Sequence, residues 1–546
     1  MSKQILIIGG GISGIIAAAN IKYKKPNYNV ILVEKNNVLG GQLYIKDDNY
    51  WKCNNGPSWY WMDDIIQKVY KEIGIKKKDL YTIEQLNPQY TLFLDELNIN
   101  VPNGLTEFRN LIKEFDPNCL DKFDAFIESN TLKYNLVTTL FLNYYNLSIT
   151  EYFSIMLPYY VYKLDLFKSY RSTVNISTNK NVQTLMEWPS LFIGGGPKNI
   201  SGLFSFLTYS MIVNGTNVPK NGMITIIEML EKHLEVLDIE IITNEYLYYL
   251  NIKNDSVKEV TILNKEYYER KIKVDRIICA CDYHYIETLL PNKYRSYPKE
   301  YWDNQVLCPS AIIFNVLLDI KLPELSFHNL FMETSIDGHF ECIYTSKNMP
   351  EKPLFYINKY YDNNHNDKLF ILIPANLNKD FDQPEINRIF NYILDDLGKQ
   401  CNINMHNHIL KYNQSTNVNF RYRFYAYKGN AYGLACDNYQ IGFMRPKIKS
   451  RYVSNLYYCG QTTNPGPGIP TVMISGLLTS NLVLDELKNN KVTIFTKLYL
   501  FFINVWLFIT NMIVMWKTVG LNIDWIKKEF NYVFLNKIYE YNSFNY

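Results

Sequence analysis

The sequence predicts an α/β fold with a Rossmann-like, nucleotide-binding parallel sheet. Three observations predict it. A short apolar run, Gln4 to Ile8, ends in the glycine series Gly9-Gly10-Gly11-Ile12-Ser13-Gly14. A second glycine-rich stretch, Cys459 to Pro470, follows the strand-like Asn455 to Tyr458 and precedes a long apolar helical segment. The two loops bracket a chain of 546 residues, long enough for two or three domains around a large core.

Residues 4–8 read as a parallel strand: short, apolar and closed by glycine. Gly9, Gly11 and Gly14 then stand at G-x-G-x-x-G spacing. Gly9 allows the tight turn, and Gly11 lets the backbone approach a pyrophosphate. Gly14 lets a helix over residues 15–23 pack closely on the strand. Ile12 and Ser13 fall in the same turn, at the positive end of that helix, where phosphates bind. A second strand, Asn29 to Val33, ends in Glu34, followed by Lys35. Glu34 stands where a carboxylate grips ribose hydroxyls, and it would repel a 2′-phosphate. Two glycine loops so far apart point to FAD in an extended pose. Its adenosine end lies at the first loop and its flavin end at the second.

Gly40-Gly41-Gln42 comes soon after Glu34. A glycine pair at this distance resembles the second fingerprint of the FAD-binding amine-oxidase-like superfamily, whose pattern continues with Arg. Gln42 removes that cation from the neighbourhood of the phosphates. Asn55-Gly56-Pro57 resembles the same superfamily's Asp-x-Gly-Pro stretch, with Asn54 in place of the acid.

Four further segments resemble the bacterial and fungal phytoene desaturase family of carotenoid synthesis. Leu191-Phe192-Ile193-Gly194-Gly195-Gly196-Pro197 resembles its Leu-x-x-Gly-Gly-x-Pro segment. Val218-Pro219-Lys220-Asn221-Gly222-Met223 resembles its turn before a helix. Val274 to Asp282 resembles its strand ending in Asn-Ala-Asp. Gly460 to Pro470, with the helix over 472–487, resembles its most specific motif. The resemblance covers most of residues 1–490. It implies that Gly56, Pro57 and Asp282 line the FAD site. It also implies that Gly460, Gln461, Gly468, Ile469, Pro470 and Val472 hold the flavin end. Pro470, in the first helical turn, loses nothing by lacking an N–H, and the helix dipole would face charge developing on the flavin. The family carries an Asp and an Arg ahead of its Gly-Gly-x-Pro segment; Glu151 and Arg171 are the candidates here.

The cofactor domain is expected in three pieces, residues 1–100, 215–300 and 415–490. Residues 101–214 and 301–414 would form an inserted α+β substrate domain. Aromatic, helically periodic stretches at 136–145 and 152–162 read either as core or as an aromatic-lined tunnel for a long apolar substrate. The resemblance favours the tunnel. The run 362–367 is polar and reads as a loop.

Residues 498–516 carry no charge and are long enough, as a helix, for one hydrocarbon thickness. Lys497 and Lys517 flank the span, and Trp506 and Trp516 are candidate interfacial anchors. An apolar stripe at Ile523, Ile526, Phe530, Val533, Phe534 and Ile538 follows, with lysines nearby. Residues 491–546 are therefore expected to be a membrane-associating hydrophobic helical tail.

The net charge of +3 gives no argument for nucleic acid. Nine cysteines and seven histidines are scattered without metal-ligand spacing, so no metal is expected. The reduced cysteines imply a cytosolic-facing protein. The first strand begins by residue 4 and leaves no room for a cleaved leader.

The resemblance implies hydride transfer from a polyisoprenoid such as phytoene to flavin N5. Its partners would be a lipophilic polyene, membrane lipid and an electron acceptor, a quinone or oxygen. A carotenoid isomerase, a retinol saturase and an amine oxidase remain open as related flavoproteins. So does a non-catalytic flavin-fold lipid-binding protein. Oligomeric state is not legible.

Overall fold

The computed structural model describes residues 2–488 except 48–51, 55, 96, 144, 146, 148–163, 167, 347, 362–365, 378 and 438. Glu151, the stretch 152–162 and the tail 489–546 lie outside the described residues. Among the described residues no helix is long and apolar enough to cross a membrane.

A five-stranded parallel sheet forms the cofactor half. Its order is Leu456–Tyr458, Arg276–Cys279, Gln4–Ile8, Asn29–Val33, Glu240–Ile242. Ile8 lies level with Val33 and Cys279, so these strands release Gly9, Glu34 and Ala280 at one edge. Successive side chains point to opposite faces. Ile5 and Ile7 join the large core containing the helices. Leu6 and Ile8 join a second core against the antiparallel strands Glu245–Lys253 and Ser256–Asn264. Both faces are covered, which is why the first strand is apolar at every position after Gln4.

Two helices cover the first face. Ile12–Lys24 begins with Gly11 as its N-cap residue and ends just before Pro26, which disfavours continuation. Its last turn carries Lys22 and Lys24, which complement the helix dipole. It starts three residues earlier than the spacing predicts, because the glycine turn itself enters the helix. Ile469–Leu487 has Pro470 in its first turn and packs along it. The approach is very close: a Cβ on Gly476 would stand 2.2 Å from the Ser13 carbonyl oxygen. Asn20 Nδ2 donates across the crossing to Ser480 Oγ at 2.7 Å.

The second half is a seven-stranded sheet with a helical layer. Its order is Ile409–Ser415, Ser310–Leu318, Asp367–Ala375, Phe355–Tyr361, His328–Phe331, Tyr90–Phe93, Asn98–Val101. Tyr90–Phe93 joins His328–Phe331 in parallel. The junction expected at residue 100 therefore falls before Tyr90, because these two strands complete the larger sheet. Residues 101–214 supply helices, among them Leu105–Phe115, Leu120–Asn143, Lys180–Glu187 and Phe206–Asn214. Residues 301–414 supply most of the strands, so the inserted half is α+β.

Candidate cofactor and substrate site

The strand edge that releases Gly9, Glu34 and Ala280 opens into a cavity of about 400 Å³. This cavity is continuous from the glycine loops to the face of the seven-stranded sheet. Ligands in open parallel sheets bind at this carboxyl edge.

The nucleotide end is built from backbone. Gly9 has φ +108 and Gly40 φ +106, values that L side chains rarely adopt. Gly40 N donates to Gly10 O at 2.8 Å, tying the two glycine turns together. A Cβ on Gly41 would come within 3.0 Å of Gly11 Cα. Gly14 has another role: its Cβ would lie 2.0 Å from the Gly9 carbonyl oxygen, and Gly14 does not line the cavity. It is a packing glycine under the turn.

Glu34 is buried and lines the cavity. One carboxylate oxygen accepts from Gly10 N at 2.7 Å. The other accepts from Asn36 N at 2.8 Å and Asn36 Nδ2 at 2.6 Å. The carboxylate is thereby held at the turn, with about one lone-pair site, on the oxygen bound to Gly10 N, left for a ribose hydroxyl. Lys35 donates to Tyr422 O at 2.7 Å and lies 3.3 Å above the Tyr425 ring. Burial lowers its ammonium to about 8.

Asp282 caps the helix Tyr283–Leu289 by accepting from Tyr285 N at 3.0 Å, and accepts from Tyr427 N at 3.2 Å. Burial pushes its carboxyl up to about 6, although these donors pull it down. The fold therefore favours the protonated form. The stability this group contributes is complete below about pH 4 and is lost as pH rises through about 6. Asp282→Asn keeps a carbonyl acceptor for the cap and removes the titration. The variant should gain stability relative to wild type between those limits. Urea unfolding at pH 4.5 and pH 7 measures this; an equal difference at both values would contradict it.

Gly460, Gln461, Gly468, Ile469, Pro470 and Val472, the residues expected at the flavin end, line the cavity. The loop is fastened from below. Gly460 N donates to Ser475 Oγ at 3.0 Å, and Thr463 Oγ1 lies 2.8 Å from the same hydroxyl. Buried Arg445 donates to Leu434 O at 2.9 Å and packs beneath Gly466, whose Cβ would meet its guanidinium at 3.2 Å. The first turn of Ile469–Leu487 reaches the cavity, bringing the positive helix end to it. Gly40, Gly41, Gln42, Gly56 and Pro57 form the wall between the two ends. A Cβ on Gly56 would lie 1.9 Å from the Gln42 carbonyl oxygen, so only glycine fits there.

The residues fit FAD on one direct observation. A Cβ on Gly11 would meet only Gly41 Cα, at 3.8 Å. The backbone there borders open cavity rather than packed protein. The open space passes Glu34 at one end and the Gly460–Val472 loop at the other.

The substrate half is apolar. Ala311 and Ile313 line it from one strand, and Phe370, Leu372 and Pro374 from its neighbour. Ala311 pairs with Pro374 and Ile313 with Leu372, so these residues share one face of the sheet. Trp59, Trp61, Phe192, Leu330 and Tyr356 complete the wall. Behind it His328 stacks on Trp59 at 3.8 Å, and its Nδ1 lies 2.6 Å from Tyr356 Oη. Burial drives the His328 imidazolium well below its usual range, so the ring is neutral. Among the described lining residues, the only carboxylates are Glu34, Glu245 and Asp282. All three lie at the nucleotide end.

The tunnel walls differ from the expected ones. Leu136 and Tyr145 are half-buried and pack on the core, outside the cavity lining. Among the described residues of 101–214, only Leu191, Phe192, Ile193 and Leu207 reach it. Trp59 and Trp61 escaped the sequence reading; their signal was the aromatic cluster directly after Pro57. Arg171 is a correction. Its Nε and Nη2 donate to the two Glu187 oxygens, both at 2.6 Å, and its Nη1 to Asp337 at 2.6 Å. The guanidinium clamps three helical segments together and does not line the cavity. Two carboxylates take four of its five N–H donors, so it is a structural tie.

The family model described as flavin containing amine oxidoreductase matches residues 12–484. The carotenoid 3,4-desaturase of Haloarcula japonica is 25% identical over 496 residues, covering 89% of this chain and 99% of that protein. The 4,4′-diapophytoene desaturase of Staphylococcus haemolyticus is 23% identical over 514 residues, covering 89% and 100%. An oxidoreductase of Methanosarcina mazei shares the fold, with TM-score 0.56 and 12% identity over 87% of this chain and 99% of that one. The chain is an FAD-dependent oxidoreductase, and it belongs to the flavin-containing amine oxidoreductase family.

Proposed function

We propose that the protein is a desaturase of a long polyisoprenoid such as phytoene or its shorter dehydrosqualene analogue. One observation carries the reading: a single cavity joins the cofactor loops to an apolar, aromatic wall on the large sheet. When bound, FAD would supply the two-electron oxidation as the acceptor of a hydride from a saturated carbon. The neighbouring carbon would give up a proton to complete the double bond, and a quinone or oxygen would be the final electron acceptor. A hydrocarbon offers no polar handle, and no carboxylate stands among the described residues lining the substrate half. Orientation then comes from wall shape and apolar burial, at about 25 cal/mol per Å². The sheet face formed by Ala311, Ile313, Phe370 and Leu372 holds the chain and keeps water away. An amine, by contrast, is charged in water and would lose its hydration against this wall.

The test is incubation of flavin-loaded protein with phytoene or dehydrosqualene in liposomes and an electron acceptor. Visible absorbance of conjugated products is expected. No new absorbance from either substrate, together with rapid flavin bleaching by an amine, would favour an amine oxidase.

We further propose that residues 491–546 carry the membrane contact that brings such a substrate within reach. The support is the uncharged span at 498–516. The cofactor loops and the helix Ile469–Leu487 end before it. Cutting after Lys488 should move the protein from the membrane pellet to the supernatant with its flavin retained. Full pelleting of the cut protein would assign the contact to residues 1–488 instead.

A further inference from the structure

The sequence lacks a cation where the superfamily pattern places an Arg, at Gln42. A bound FAD would bring two phosphate charges to the glycine turns, which offer them only backbone. The structure brings a cation to the same place from far along the chain. Arg423 belongs to the helix Asn417–Phe424, and its guanidinium carbon lies 3.5 Å above the ring of Tyr44. Tyr44 directly follows the Gly41–Leu43 turn.

Only two cations are found among the described residues lining the cavity, Lys35 and Arg423. Lys35 is committed to Tyr422 O and the Tyr425 ring. Arg421, one helical half-turn from Arg423, is paired with Asp380. Arg423 has no hydrogen bond or ion pair to any described residue, and its Nε is buried without a partner. Glu34 is the nearby carboxylate, and its oxygens already accept three donated N–H groups from Gly10 and Asn36. Burial lowers the guanidinium from its usual range, the mark of a cation without a paired anion. Five donors on a planar fork, stacked over the ring of Tyr44 and lining the cavity, match a pyrophosphate.

We propose that Arg423 supplies the cation that Gln42 lacks and binds the FAD pyrophosphate. The inference rests on the FAD reading and adds a cofactor-binding residue that no glycine motif marks. It makes the helix Asn417–Phe424 part of the cofactor site. The chain would have exchanged a cation beside its second glycine turn for one delivered across the cavity.

The test titrates apoprotein with FAD, followed by flavin fluorescence, in wild type, Arg423→Gln and Arg423→Lys. Arg423→Gln should bind FAD about 10- to 100-fold more weakly, the effect of one charge-assisted hydrogen-bonding group. Its affinity should also depend less on salt. ADP, which carries the pyrophosphate without the flavin, should lose affinity by a similar factor when used as a competitor. Arg423→Lys keeps the charge without the fork and should fall between the two. Gln42→Arg placed in the Arg423→Gln protein should restore much of the loss. Circular dichroism and thermal melting of the apoproteins confirm that each variant folds. FAD and ADP affinities of Arg423→Gln within about twofold of wild type would overturn the inference. So would lost FAD binding with unchanged ADP binding. Wild-type apoprotein that binds neither ligand would overturn the flavin reading, and this inference with it.

Discussion

Gly11→Val should yield a folded, colourless protein. Gly11 has φ −72, an ordinary backbone conformation, so a side chain there brings no strain. Its Cβ would project past Gly41 Cα into the cavity, with contact no closer than 3.8 Å. The added methyls would occupy the space through which the backbone approaches the pyrophosphate. Flavin affinity should fall at least about 100-fold, while the thermal midpoint of the apoprotein moves little. Gly14→Val should fail in the opposite manner. Its Cβ would stand 2.0 Å from the Gly9 carbonyl oxygen and 3.0 Å from Ala280 Cβ. Strand and helix would have to separate, at a cost of about 3 kcal/mol or more. Measuring absorbance at the flavin band and thermal midpoint for both variants separates the roles. A Gly11→Val protein with full flavin content would refute the assignment of this turn.

The second large effect is expected at Trp59. Its ring stacks on His328 and packs against Trp61, Trp188, Phe192 and Tyr356. Trp59→Ala removes the centre of that cluster and opens space on the far side of the cavity wall. The loss should be about 3–5 kcal/mol of stability, the usual cost of a large aromatic truncation in a core. Neutral His328 would lose its stacking partner and gain access to water, so its imidazole should titrate closer to the normal range. Trp59→Phe keeps the stacked face and should lose less than half as much. Urea unfolding of the three proteins measures the stability, and the histidine ring resonances report the titration. A loss under about 1 kcal/mol in Trp59→Ala would show that the wall closes without this ring.

Within the cofactor half, local chemistry was enough. Gly9 directly follows the apolar strand Gln4–Ile8 and Glu34 directly follows the strand Asn29–Val33, and each obeys a rule that acts over a few residues. Strand Gln4–Ile8, the turn after it, Glu34 at the strand edge and Pro470 in a first helical turn were all legible for that reason. The same holds for Gly460, Gln461 and Gly468, which lie in one short loop at the end of a strand.

The substrate half was not legible in this way. Its cavity is lined from residues 58–62, 191–193, 310–313, 330–332, 354–356 and 370–374. No local spacing connects these stretches. Leu136 and Tyr145, from the periodic stretch at 136–145, pack on the core, because apolar periodicity reports burial and does not say against what. Arg171 was near the expected motif in sequence, yet Glu187 and Asp337 hold it away from the cavity. Arg423 carried no motif at all.

The amino-acid sequence by itself determined the nucleotide-binding sheet, its two glycine loops and the cofactor. Those depend on backbone conformation and on the absence of a Cβ, which neighbouring residues dictate. Only the tertiary structure decided which aromatic residues form the wall, which cations are already paired, and which one is left facing the cavity. Those depend on contacts between segments hundreds of residues apart, set by how the two sheets pack rather than by any local pattern.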